Sequence, residues 1–189
     1  LGYDMDAYFS GSVPAVKSTA HESSSINGRL TGRDPKVGYI FSGADDRALL
    51  ALARLLDAGA KVWSATEPFS VEGESYPRGS FLIRSNANSH LAERTLQEIA
   101  EETGVTLTAV NFGLASVGSD LGGGEFELLT RPKIALVGGE TTSPYSFGNI
   151  WHTLDARMNM KTSTLSSTSL AGTDLDKYNV LILPSTYGG

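Results

Sequence analysis

The sequence of 189 residues contains no cysteine. Disulfides, thiolate zinc sites and a cysteine nucleophile are excluded together. Such a chain suits reducing and oxidising compartments alike. Lys and Arg total 15 against 21 Asp and Glu, a formal charge of -6. No basic cluster is present, so neither nucleic acid nor an anionic membrane surface is expected as a partner. No apolar run approaches the ~20 residues that a membrane-spanning helix needs. No signal-peptide pattern opens the sequence. Leu1 is not an initiator, so the start is expected to be a boundary made by cleavage or by choice. A hydrophobic content of 40% with 19% charged residues allows an ordinary core without staples or cofactors.

What is present is most regular between Arg131 and Asp155, RPKIALVGGETTSPYSFGNIWHTLD. Lys133 to Val137 reads as a buried strand, and Gly138-Gly139 as a tight turn, since glycine has no Cβ to obstruct it. Ser143 before Pro144 predicts a helix N-cap followed by a proline at the first helical position. Phe147, Ile150, Trp151 and Leu154 share one helical face. This is a βα unit of an open α/β sheet, whose ligand crevice lies at the carboxyl ends of the strands.

Residues 1–35 are irregular in pattern, with Ser23, Ser24, Ser25, Asn27, Gly28, Gly32 and Pro35 marking loops. Residues 36–112 form a first α/β lobe. There Val37 to Ser42 is a strand. Asp45 caps a helix with Leu49, Leu52, Ala53 and Leu56 inward, and Gly59 stops it. Strands at 61–65 and 80–84 follow. Ser89 caps a second helix with Ala92, Leu96, Ile99, Ala100 and Thr103 inward, Gly104 ends it, and a strand covers 105–110. Residues 113–131, with Gly122-Gly123-Gly124, read as a Gly-rich linker. Residues 132–189 form a second α/β lobe with strands at 158–165 and 179–183. The polar tract Ser163 to Ser169 adjoins the first of these. The second lobe is expected to be incomplete. Alternating strands and helices predict largely parallel sheets with flanking helices. The last strand, with no covering helix after it, is expected to leave apolar surface exposed, because parallel strands are normally covered on both faces.

The segments ALARLLDAGAKVWSATEPF, YPRGSFLI, GSDLGGGEFELLTRPKIALVGG and DLDKYNVLILPS resemble the carboxyl-terminal region of large secreted bacterial zinc carboxypeptidases of the carboxypeptidase A type. The resemblance spans most of residues 36–189 and contains no catalytic motif. It implies a class I glutamine amidotransferase-like fold without that activity, flavodoxin-like in the second lobe. It further implies an upstream zinc peptidase domain as partner, zinc held only there, and a secreted or periplasmic location. The turn GGETTSPYSFGNIW departs from that family's usual aromatic strand end.

The candidate chemistry is sparse. His90 and Glu93 have the HxxE spacing of zinc carboxypeptidase ligands, with His152 the only downstream histidine. An open catalytic zinc needs three convergent ligands. The reading preferred here puts His90 at a helix start and Glu93 in its first turn, where the helix dipole favours an acid. His21 beside Glu22 sits in a Ser-rich loop and is read as solvated. Ser185, in PSTYGG, lacks the GxSxG context of a nucleophile elbow. No catalytic or metal residue is therefore assigned. Gly139, Glu140, Thr141, Thr142 and Ser185 are the ligand-binding candidates, at the two strand ends, although Glu140 repels an anion. Trp63 and Trp151 are read as core residues. The function expected is a structural or interaction module, with a homo-oligomer contact among its possible partners. An independent small-molecule binder is the alternative.

Overall fold

Residues 27–186 are described by the structure, a computed structural model. The irregular pattern expected for 1–26, with His21 and Glu22 in it, lies outside them. The first part of the chain runs β1 (Arg29–Thr31), β2 (Gly38–Phe41), α1 (Ala48–Asp57), β3 (Trp63–Ala65), β4 (Phe69–Val71), β5 (Glu74–Tyr76) and β6 (Phe81–Arg84). It continues with α2 (Glu93–Thr103), β7 (Thr106–Val110) and β8 (Phe126–Leu128). Six of these strands make one sheet in the order β1-β7-β2-β6-β3-β8, and β4 pairs with β5 in a hairpin.

The expectation of largely parallel strands is corrected here. Only β1 and β7 are parallel neighbours; every other adjacent pair in this sheet is antiparallel. Both strand–helix–strand crossovers still bring the chain back in its original direction. β3 is parallel to β2, but β6 lies between them. β7 is parallel to β6, but β2 lies between them. The order is that of a split βαβ motif, β-α-β-β-α-β. The β4–β5 hairpin reverses the chain and so feeds β6 into the gap.

Alternation along these strands divides two apolar layers. Tyr39 and Phe41 on β2 and Phe81 and Ile83 on β6 face Ala51 and Leu55 of α1 and Leu96, Ile99 and Ala100 of α2. Ile40, Leu82 and Val110 face the other way, onto Phe69, Val71, Tyr76, Leu121 and Phe126. The helices cover one face of the sheet. The hairpin and the 111–125 loop cover the other, so β2 is buried at every position.

Helix ends follow local chemistry. Gly59 takes φ +83°, Ala60 N–H donates to Leu55 O and Gly59 N–H to Leu56 O, the paired bonds of a Schellman stop. The starts differ from expectation. Asp45 pairs with the Arg47 side chain and backbone, and no side chain caps α1. α1 buries Ala48, Ala51, Ala53, Leu55 and Leu56, while Leu49 is 57% exposed. α2 begins at Glu93, so Ser89 is not its cap. Residues 29–31, expected as irregular, supply β1. Within the expected linker, β8 pairs with β3, and Leu121 and Phe126 are buried in the core.

The second part contains β9 (Ile134–Gly138), α3 (Pro144–His152), β10 (Thr162–Ser166) and β11 (Val180–Ile182), with one turn of π-helix at Thr153–Arg157. Its sheet, β10-β9-β11, is wholly parallel. β9 is buried throughout, whereas α3, β10 and β11 bury no residue fully. Arg131 pairs with Asp57, and Arg54 Nη1 donates to Met158 O at 2.6 Å, tying this part to α1. Among the described residues no helix is long and apolar enough to cross a membrane.

Candidate functional site

The turn after β9 is built from short-range chemistry. Gly139 has φ +133°, a conformation that residues with a side chain rarely adopt. A Cβ there would meet Ser167 Oγ at 2.8 Å, and a Cβ on Gly138 would meet the Phe147 ring at 2.9 Å. Thr142 N–H then donates to Gly139 O at 3.0 Å, closing the turn. Ser143 caps α3 as expected: its hydroxyl accepts from Ser146 N–H, with Pro144 first in the helix.

The structure brings the two expected strand ends together. Ser143 N–H donates to Ser185 O at 2.8 Å, Thr142 bridges Thr186, and Ser185 N–H donates to Ser146 Oγ at 3.2 Å. From the other side, Thr141 Oγ1 donates to Ser167 Oγ at 3.2 Å, and Ser167 N–H donates to Gly138 O at 2.8 Å.

An open cleft of ≈ 490 Å³ lies at this turn; a smaller one of ≈ 230 Å³ lies between α1 and the start of β9, and a more voluminous one of ≈ 770 Å³ lies along β1 and α2, with Arg33, Glu93 and Arg94 in its walls. Gly139 and Thr142 line the cleft at this turn; Glu140, Thr141 and Ser185 do not. Its further walls are Gly138, Pro144, Phe147 and, from β10, Thr164, Leu165 and Ser166. The β10 residues were missed because only the parallel pairing of β10 with β9 places them there. The polar tract at 163–169 was the available signal. Thr142 is buried although polar.

The cleft is poorly suited to an anion. Thr142 and Ser143 amides are bonded to Gly139 and Ser185 carbonyls, Ser146 and Phe147 amides to Ser143, and Pro144 has no N–H. Little of the positive end of α3 is left free for a ligand. What remains is an apolar wall with hydroxyls on it, fitted to a small uncharged molecule.

The HxxE pair lies elsewhere and is not assembled as a metal centre. His90 precedes α2, with Nε2 3.2 Å from Gly59 O. Glu93 Oε1 accepts from the Tyr39 hydroxyl at 3.3 Å. Burial, then the neighbouring Glu93 carboxylate, pushes the Tyr39 phenol up to about 12. His152 is exposed on α3. Among the described residues no three His, Asp or Glu are grouped to hold a metal ion. Trp151 is 43% exposed, correcting its core assignment. Trp63 is half-buried, with the Arg84 guanidinium 4.4 Å above its ring. Arg84 Nη2 also donates to Leu121 O at 2.8 Å, so this stack holds the 111–125 loop on the sheet.

Compared with known proteins, the chain matches no family model, no curated protein and no solved structure.

Proposed function

We propose that the chain is a non-catalytic accessory domain of a secreted or periplasmic zinc-carboxypeptidase-like protein. Its role there is structural or interactive, and its partner is an upstream peptidase domain that alone holds zinc. In this reading it has two lobes, the second resembling an amidotransferase or flavodoxin-like fold. The observation that carries the non-catalytic part is the lining of the β9–α3 cleft. It is glycine, proline, phenylalanine, leucine and hydroxyl side chains, with no titratable group among them. General acid–base catalysis needs such a group within hydrogen-bond reach of the reacting atoms, and a hydroxyl nucleophile needs a base beside it. The test is direct. The purified chain is loaded with zinc and assayed on carboxypeptidase substrates with and without a chelator, and the reading frame upstream of Leu1 is determined. The expected result is no turnover and an HxxE-bearing peptidase domain upstream. Stoichiometric zinc with chelator-sensitive turnover overturns the first half, and a frame without that domain overturns the second.

A second reading, an independent small-molecule binder, draws on the size of the cleft. At ≈ 490 Å³ it falls within the range of small-ligand sites. A fragment screen by NMR separates the two: saturable shifts at Gly139 and Thr142 favour the binder.

A further inference from the structure

The net charge of this chain is not spread evenly. Residues 66–76, the hairpin, and 111–129, the loop and β8, contain six acidic residues and no Lys or Arg. These are Glu67, Glu72, Glu74, Asp120, Glu125 and Glu127, and all are exposed. The whole chain has 21 acidic and 15 basic residues, so the remainder is balanced and the entire -6 resides in these two segments. The fold puts the two segments together. Ser70 bridges Val117, Ser116 N–H donates to Ser70 O, and Thr66 N–H donates to Glu125 O. Among the described residues, none of the six carboxylates is in an ion pair.

The same loop carries exposed apolar side chains. Phe112 is 68% exposed, Leu114 77% and Val117 64%. They are held in place. Glu72 Oε1 accepts from Asn111 and Phe112 N–H at 2.8 and 2.9 Å, and Asp120 Oδ1 accepts from Ala115 N–H at 2.8 Å. Leu121 N–H donates to Gly113 O at 2.9 Å, and the Arg84 bond to Leu121 O anchors the loop beneath. An apolar tip that is ordered before contact loses little entropy on binding. Exposed apolar side chains set among polar groups are a common feature of interaction sites.

We infer that this face, the hairpin with the 111–125 loop, docks a protein surface that presents an apolar socket rimmed by Lys and Arg. Charge complementarity selects the partner: six unpaired carboxylates repel nucleic acid and anionic lipid and attract a basic rim. The inference rests on the interaction half of the proposed function and not on its peptidase half. A missing upstream domain would leave it standing.

The test uses the whole chain and a labelled amphipathic Leu/Lys peptide, with a Lys-only peptide of equal charge alongside, followed by fluorescence anisotropy. The Leu/Lys peptide is expected to bind saturably and at least about tenfold tighter than the Lys-only peptide. Leu114→Ser and Phe112→Ser should each weaken it severalfold, and Glu67→Lys with Glu74→Lys about tenfold or more. Glu101→Lys with Asp176→Lys, the same charge change elsewhere, should leave binding within about twofold. Unfolding curves confirm that each variant is folded. Equal binding of the two peptides, equal losses in the two charge-reversal pairs, or no loss in either serine variant overturns the inference. So does abolition of peptide binding by millimolar calcium, which would make the carboxylates an ion site instead.

Discussion

β2 and β9 are equally apolar strands, both buried at every position, yet they sit in differently built parts of the molecule. Around β2 two layers of side chains close in, from α1 and α2 on one face and from the hairpin and loop on the other. Around β9 the neighbours are themselves exposed: Leu181 at 42% and Leu183 at 65% beside it, Tyr145 at 85% and Trp151 at 43% on α3. Apolar sequence therefore sets which strand is central, while the covering elements set how much core forms. The first sheet thus carries the thicker core. The second, with the cleft, is thinly covered, and ligand-binding elements are commonly drawn from the less stable parts of a fold.

The largest effect expected from breaking this contrast is at Phe41, 1% exposed and 4.9 Å from the Phe81 ring. Phe41→Ala should cost about 3–5 kcal/mol of global stability in chemical denaturation. Leu136→Ala, at a site 0% exposed in β9, should cost about 2–4 kcal/mol. Its loss should be local, seen by hydrogen exchange in β9, β10 and β11 while β2 and β6 keep their protection. Equal loss of protection in both sheets would show that the two parts unfold as one.

Next comes the turn that shapes the cleft. Gly139→Ala forces a side chain into φ +133° and against Ser167 Oγ. A cost of about 1–3 kcal/mol is expected, with NMR shift changes confined to the cleft walls and the Ser143–Ser185 contact. A variant as stable as the parent would mean that the turn relaxes freely.

What the sequence made legible follows this division between local and non-local physics. Gly59, Gly104 and Ser143-Pro144 mark helix ends through bonds that span a few residues, and each does so in the structure. The phase of α1 was not legible. In ALLALARLL apolar residues fall on almost every side of the helix, and the small Ala48 and Ala51 join Leu55 and Leu56 in the core, leaving Leu49 outside. Sheet order was not legible either, because insertion of β6 between β2 and β3 depends on the hairpin and on pairing across the whole lobe. For the cleft, Gly139 and Thr142 came from the strand–turn–helix pattern. Thr164, Leu165 and Ser166 required knowing that β10 lies parallel beside β9.

A smaller, pH-dependent effect tests the helix-covered face. Tyr39 is 4% exposed and its phenol is held up to about 12 against an ordinary 10.0. The unfolded chain thus ionises this tyrosine first. The stabilising contribution is complete below pH 10 and is lost as pH rises from 10 toward 12. Tyr76, also buried, acts in the same direction. Tyr39→Phe should flatten the alkaline fall in stability, and tyrosinate absorbance should show one fewer late-titrating phenol. An unchanged alkaline slope would mean that Tyr39 ionises freely in the folded state.

The smallest effect expected is at the open edge of the second sheet. Leu183 follows β11 and is 65% exposed. A core position would lose about 2–5 kcal/mol on truncation, but a side chain already in water has little burial to lose. Leu183→Ser should therefore change stability by no more than about 0.5 kcal/mol while raising solubility. The same substitution sharpens the comparison with Leu136, 0% exposed on the neighbouring strand. If Leu183→Ser instead costs as much as Leu136→Ala, the edge is covered in solution, and sedimentation should then report an assembly that the variant dissociates. A monomer that loses stability at Leu183 would contradict the open edge itself.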